Sequence, residues 1–197
     1  MGRREKRSSG MKQRKTAVVY ATRNGSTKRY AEWIARDCSA DLIALEEADI
    51  DQLALYGTLV YGGCVYSGAI QGISFIKNNR DLLQNVRLVV FTVGLTQPGD
   101  EAAFAQVLDR NFTEEERRDI QFFHFPGALD HKKMSLQQRG IMWILKKSIQ
   151  KKPKEARSQM EGYILESYGG KVDFTNAAYV KPLVRFVRSG SEIGEKT

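Results

Sequence analysis

From Lys15 onward, short apolar runs alternate with stretches whose apolar residues recur every three or four positions. TAVVYA (16–21) is continuous, β-branched and closed by a polar loop, which predicts a buried strand. Tyr30, Ile34 and Cys38, with Ala31 and Ala35 beside them, share one face of a helix running to about Cys38. DLIALEEA (41–48) predicts a second strand, followed by a short turn or helix near 50–56, and TLVYGG (58–63) a third. Ile70, Ile73, Ile76 and Leu83 set out a helix over 69–83. RLVVFTVG (87–94) is apolar almost throughout, as a strand covered on both faces should be. A helix is expected over 100–110, and IQFFHFPGAL (120–129) contains a fifth strand. Strand, helix, strand, helix predicts an α/β fold: a doubly wound, five-stranded parallel sheet with helices on both faces.

Beyond the fifth strand the pattern loosens. Ser135 is placed to cap a helix through about Ile149, in which Ile141, Met142, Ile144, Leu145 and Ile149 share a broad face opposite Arg139, Lys146 and Lys147, with Trp143 among them. A Lys-rich break (KKPKEAR) and a weak helix over 156–166 follow. VDFTNAAYVKPLVRFV closes the fold, with Thr175 as N-cap candidate and Pro182 either kinking the last helix or starting it late. The expected organisation is a disordered basic tail (1–14, with Met11 a candidate start), one domain over 15–190 carrying an insert at about 130–170, and a flexible end at 191–197.

Composition changes the picture chiefly through charge. The 197 residues are 42% hydrophobic and 27% charged, which excludes disordered, collagen-like and disulfide-stapled classes. No apolar run approaches the roughly 18 to 20 residues that span a bilayer, and MGRREKRSSG leads into no apolar signal core. Two cysteines, Cys38 and Cys64, make no disulfide framework and suit a reduced, cytoplasmic setting. The net charge of +8 divides unevenly. Residues 1–15 carry seven Lys/Arg against Glu5, and residues 131–157 carry nine against Glu155, leaving 15 basic and 21 acidic residues elsewhere. An acidic body with two basic pieces argues for docking surfaces and against a nucleic-acid partner.

In an open parallel sheet, ligands bind beyond the carboxyl ends of the strands. After strand one comes Thr22-Arg23-Asn24-Gly25-Ser26-Thr27, running directly into a helix. Hydroxyls, an amide, a glycine and unpaired helix N–H groups suit a phosphate. It is neither a Walker A loop nor a dinucleotide fingerprint. A Ser/Thr-rich helix cap without a ligand is the equal alternative. T-x-N-G-S-T is similar to the phosphate-binding loop of flavodoxins, T/S-x-T/S-G-x-T, with Asn24 at the central hydroxyl. Two further loops occupy the order and spacing of that family. Gly63, Cys64, Val65, Tyr66, Ser67 and Gly68 follow strand three, and Gly94, Leu95, Thr96, Gly99 and Asp100 follow strand four. The resemblance implies that the first loop holds the monophosphate of FMN and that the other two frame its isoalloxazine, with Tyr66 offering an aromatic face. FPGALDHKK (125–133), the basic helix and DFTNAAYVKPLVRFV resemble the flavodoxin-domain family that includes the menaquinone-dependent protoporphyrinogen dehydrogenases. The likeness spans about Lys15 to Arg188. The insert is longer here, and Asp-His-Lys-Lys follows Gly127-Ala128-Leu129, so the FMN loops match while the substrate stays open.

Other candidates have plainer readings. Tyr66 also suits a sheet-edge cover, Cys64 a free buried thiol, and His124 a satisfied core histidine. His131, after Asp130, could titrate or donate to a substrate, but two isolated histidines make no metal site. Glu114, Glu115 and Glu116 read as a solvated helix start after Thr113. No catalytic residue is assigned.

Three classes of function follow. The first, implied by the resemblance, is an FMN oxidoreductase of the protoporphyrinogen type with a quinone acceptor, in peripheral contact with the inner face of the cell membrane through residues 135–152. The second is a flavodoxin-like electron carrier serving a redox partner protein. The third is a flavin-free binding module, or a nucleic-acid binder using the tail. The acidic body is expected to lower a flavin's potential, and the basic helix to attract an anionic substrate or membrane surface.

Overall fold

The computed structural model describes residues 15–95, 100–130, 134, 136–157, 159–166 and 168–193. The basic tail, His131, Ser135, Thr96 and Gly99 lie outside the described residues.

Five parallel strands form the sheet: β1 (Thr16–Ala21), β2 (Asp41–Ala44), β3 (Thr58–Tyr66), β5 (Arg87–Gly94) and β6 (Ile120–Pro126). Their order is β2-β1-β3-β5-β6, and a two-residue strand, β4 (Ala69–Ile70), folds back antiparallel on β3. Strand order reverses at β1/β3, which pair from Thr16↔Thr58 to Ala21↔Gly63. Because successive side chains point to opposite faces, each strand feeds two cores. Ala17, Val19, Leu59, Tyr61, Leu88 and Val90 meet α2 (Ile50–Leu53), α3 (Ile73–Asn78) and α4 (Glu101–Asn111). Val18, Val60, Val89, Phe91 and Val93 meet α1 (Ser26–Cys38) and the last helix, α8 (Lys181–Ile193). The doubly wound α/β sheet expected from the alternating runs is the architecture found. Gly62 is required by close approach, since a Cβ there would stand 2.1 Å from Phe91 Cζ.

Three local expectations are corrected. The helix foreseen over 69–83 is a hairpin strand followed by the short α3: Gly72, at φ 71°, separates them, although Ile70, Ile73, Ile76 and Leu83 still share one core. Helical spacing alone did not distinguish a turn from a helix. The run 41–48 is a strand only to Ala44, then a 3-10 turn over Leu45–Glu47. The fifth strand lies within 120–129 as expected, ending at Pro126, and Ala128–Asp130 forms a separate strand, β7, antiparallel to β8 (Lys171–Asp173). Thr175 does not cap the last helix. Asn176 caps the 3-10 turn Ala177–Val180, which leads into α8, so Pro182 lies in the first turn, where its missing N–H is no loss. Thr113 and Glu116 form a reciprocal capping box at α5 (Glu114–Arg117), as the acidic run suggested.

Between β7 and β8 lie α6 (Leu136–Lys151) and α7 (Gln159–Glu166). Met134, Met142, Ile149 and Ile164 form their own small core, with Leu95, Leu145, Tyr168 and Phe174 packed against it. Arg157 donates to the carbonyls of Ile149, Gln150 and Lys152, closing the carboxyl end of α6. Lys152 pairs with Glu161 at 2.6 Å, tying α6 to α7.

Candidate functional site

The loop after β1 sits at the switch point and enters α1 through Gly25, whose φ of 86° lies in the left-handed region. Two of this loop's three hydroxyls have partners among the described residues and one has none. Thr22 Oγ1 accepts from Gly25 N at 3.1 Å, which shapes the loop ahead of the helix. Ser26 Oγ accepts from Ala128 N at 3.1 Å, which ties β7 to the loop. Thr27 is 1% exposed, and its Oγ1 finds no partner among the described residues. Among the described residues no side chain caps α1, and no acidic residue occupies its first turn. The helix therefore presents its unpaired N–H groups and positive dipole end uncompensated. A ligand-free Ser/Thr cap, the alternative open from sequence, would have used these hydroxyls on the helix; none is so used. The cradle suits a phosphate ester: an orphaned buried hydroxyl, free N–H groups and Arg23 nearby.

A cavity of about 430 Å³ opens from this cradle. Thr22, Arg23, Asn24, Ser26 and Thr27 line one end, and Cys64, Val65, Tyr66, Ser67 and Gly68 one wall. Gly94 and Leu95 border it beyond β5. The three loops singled out in the sequence thus converge. Of the remaining candidates, Gly25 and Gly63 shape the backbone without lining the cavity. Asp100 caps α4, accepting from Ala103 N at 3.0 Å, and does not line it either. Sequence reasoning missed the rest of the lining. Ala103, Gln106 and Val107 come from α4, Gly127 and Ala128 from the turn into β7, and Met134, Ile141 and Met142 from the insert. Gly127-Ala128 was visible as a motif; Met142 carried only the signal of a core position.

The β3–β4 turn is held from outside. Ser67 and Gly68 both have positive φ, 49° and 79°, the geometry of a tight hairpin turn. Asn111 at the end of α4 clamps it: Nδ2 donates to Gly68 O at 2.7 Å, and Oδ1 accepts from Ile70 N at 2.9 Å. Arg23 lies over the Tyr66 ring, 4.4 Å from its centroid, and makes no ion pair among the described residues.

The insert is anchored beside the cradle. Arg29, one turn into α1, donates to Asp173 Oδ2 at 2.7 Å and to Thr175 Oγ1 at 2.6 Å. Partial burial pushes the Asp173 carboxyl up, but Arg29 and the Thr175 hydroxyl and N–H outweigh it and hold it below its ordinary value. Tyr30 donates to Pro126 O at 2.8 Å and accepts from Asn176 N, and burial pushes its phenol up to about 12.

Cys64 donates to Gln71 Oε1, and burial, only partly opposed by Arg23, raises its thiol above the ordinary range, so it is a poor nucleophile. His124 Nδ1 lies 2.7 Å from Thr92 Oγ1, and its ring packs on Phe104, a satisfied histidine at the sheet's edge. Among the described residues, no three His, Cys, Asp or Glu groups are arranged to hold a metal, and no helix is long and apolar enough to cross a membrane.

The model of a flavodoxin domain family matches residues 17–157. Among solved structures, the chain is similar to a WrbA-like flavodoxin from Agrobacterium tumefaciens, at 16% identity over 88% of this chain and 98% of that one, with a TM-score of 0.39. It is similar to oxidised flavodoxin 2 from Bacillus cereus at 20% identity, over 57% and 85% of the two chains, with a TM-score of 0.36. Two-electron-reduced Megasphaera elsdenii flavodoxin aligns at 16% identity over 55% and 84%, with a TM-score of 0.37. No curated protein matches the chain.

Proposed function

This chain belongs to the flavodoxin domain family, whose cofactor is FMN, and we propose that it is an FMN-dependent oxidoreductase acting on an anionic substrate of the porphyrinogen type with a quinone as acceptor. The observation that carries this reading is the unpartnered Thr27 hydroxyl at the uncapped amino end of α1, inside a cavity large enough to continue past the phosphate. The residues fit the cofactor. Thr27, Asn24 and the first N–H groups of α1 would hold the phosphate. The 64–68 turn, with Tyr66, and Leu95 would border the ring.

Bound FMN supplies hydride or single-electron transfer at its ring system. The chain's own residues prepare the space around it. Val65, Val93, Val107 and Met142 are apolar and limit water at the cavity wall, which strengthens charge interactions inside. Asn111 fixes the 66–70 turn. Arg23, stacked on Tyr66 and in no ion pair among the described residues, is placed to meet a carboxylate of the substrate, such as a porphyrinogen's propionate. Met134, Ile141 and Met142 give the cavity an apolar wall, which supports a quinone as acceptor. Peripheral membrane contact through residues 135–152, beside that wall, belongs to the same reading.

A second reading, an electron carrier docking on another redox protein, draws on the acidic body outside residues 1–15 and 131–157. Anaerobic oxidation of protoporphyrinogen by the flavin-loaded chain with a soluble quinone separates the two. Catalytic turnover supports the enzyme. Flavin reduction only through a protein partner, with no quinone turnover, supports the carrier.

A further inference from the structure

The hairpin turn that walls the cavity carries a cation on each side. On one side the Arg23 guanidinium stacks on the Tyr66 ring, 4.4 Å from its centroid. On the other, Arg110 lies over Gly68: a Cβ on that glycine would stand 2.9 Å from Arg110 Cδ and 3.2 Å from its Nη1. Gly68 thus leaves the space that the Arg110 side chain fills. Tyr66 and Ala69 pair across the turn, so the two guanidiniums flank a single tight hairpin.

Arg110 joins the site through its place on α4. Ala103, Gln106 and Val107 line the cavity. Residues three and four apart share one helix face, so Arg110 continues that row by one more turn, past the cavity's edge. Asn111, next along the chain, holds the hairpin through Gly68 O and Ile70 N, which fixes α4 against it. Other cations of this region are committed elsewhere. Arg117 pairs with Asp109 at 2.7 Å, Lys77 with Glu116 at 3.1 Å and Arg29 with Asp173 at 2.7 Å. Among the described residues, neither the Arg23 nor the Arg110 guanidinium has a hydrogen bond or an ion pair.

Two free guanidiniums beside one cavity select a ligand by its charge pattern. Each stays protonated and presents a planar fork that matches a carboxylate bidentately. A monocarboxylate engages one of them. A molecule with two carboxylates on arms that straddle the turn engages both, and the second contact forms as an intramolecular event.

We propose that Arg23 and Arg110 bind two carboxylates of one substrate across the Tyr66–Gly68 turn, which makes Arg110 a specificity-determining residue for a dicarboxylate. The inference rests on the porphyrinogen-type substrate proposed above and adds that both of its propionates are read.

The test is binding of protoporphyrin IX and of its dimethyl ester to the full FMN-loaded chain in one nonionic detergent, followed by porphyrin fluorescence, with FMN affinity measured separately on each variant. The parent is expected to bind the diacid about tenfold or more tightly than the diester, with the preference shrinking in high salt. Arg110→Gln is expected to lower diacid affinity by about threefold to tenfold, as an exposed but bidentate contact should, and to leave the diester unchanged. Arg110→Lys, which keeps the charge and loses the fork, falls between. Arg110 is exposed and does not line the cavity, so FMN affinity and the thermal transition stay those of the parent. Equal diacid affinity in the parent and Arg110→Gln overturns the two-arginine anchor and leaves the porphyrinogen reading standing. A loss that strikes diacid, diester and FMN alike also overturns it, since Arg110 would then only hold the turn. A parent that takes up FMN and binds neither porphyrin overturns the porphyrinogen reading, and this inference with it. Arg110-dependent binding of the diacid by a chain that takes up no FMN overturns the flavin reading alone.

Discussion

Thr27→Val separates a ligand's hydroxyl from a structural one, because the two predict opposite signs in two assays. Thr27 is 1% exposed, and its Oγ1 has no partner among the described residues. A buried hydroxyl left unsatisfied costs about 1–3 kcal/mol relative to an apolar group of the same shape. Valine keeps the shape, the β-branch and a similar helix propensity. The flavin-free variant is therefore expected to be as stable as the parent or more so. A gain of 1 kcal/mol corresponds to about 2–4 °C in melting temperature for a chain of this size. With flavin the sign reverses. A hydrogen bond to a charged phosphate contributes about 1.5–3 kcal/mol, so FMN affinity should fall by about 10- to 150-fold. Thermal unfolding of the apoprotein and titration of FMN by fluorescence quenching give the two numbers. An apoprotein destabilised by the substitution, with FMN affinity unchanged, would refute the assignment of this hydroxyl to the phosphate.

Glycine substitutions should divide by cause. Gly25→Ala meets no heavy atom within 4 Å, so its penalty is the left-handed φ alone, about 1–2 kcal/mol, and the chain still folds. Gly62→Ala drives a Cβ into the Phe91 ring and should deplete folded protein, read as soluble yield and urea midpoint; a Gly62→Ala chain as stable as Gly25→Ala would contradict the packing described. Asn111→Ala releases Gly68 O and Ile70 N, and is expected to weaken FMN binding while the far-UV dichroism stays native; unchanged affinity would mean the turn holds itself. Asp173 is depressed in the folded state, so its contribution is complete above the unfolded value of about 4 and lost as pH falls through the depressed folded value. The stability gap between the parent and Asp173→Asn should be widest near neutrality and close in acid; a gap independent of pH would show that the Arg29 clamp contributes nothing.

The sheet was legible because β1, β3 and β5 are buried on both faces, so each appears as an unbroken apolar run of strand length. What was not legible depended on contacts distant in sequence. Ile70 and Ile76 keep helical spacing, but Ile70 is a strand residue because Val65 pairs with it. The hairpin of β7 and β8 joins segments more than forty residues apart, and nothing in either short run announces the partner. At the site, Thr22 to Thr27 could be read locally because a phosphate cradle is built from consecutive residues at one helix end. Met142 could not, since its place at the cavity follows from how α6 returns over the sheet. The aromatic–cation pair of Arg23 and Tyr66 joins two loops whose proximity only the β1/β3 pairing creates.

Titration of the flavin-free chain with FMN and, in parallel, with riboflavin tests the central claim most directly, because the two differ only in the phosphate assigned to the α1 cradle. The account predicts one equivalent of FMN bound with quenched fluorescence, and riboflavin bound more weakly by at least an order of magnitude. A chain that binds neither, or binds both equally, would contradict it.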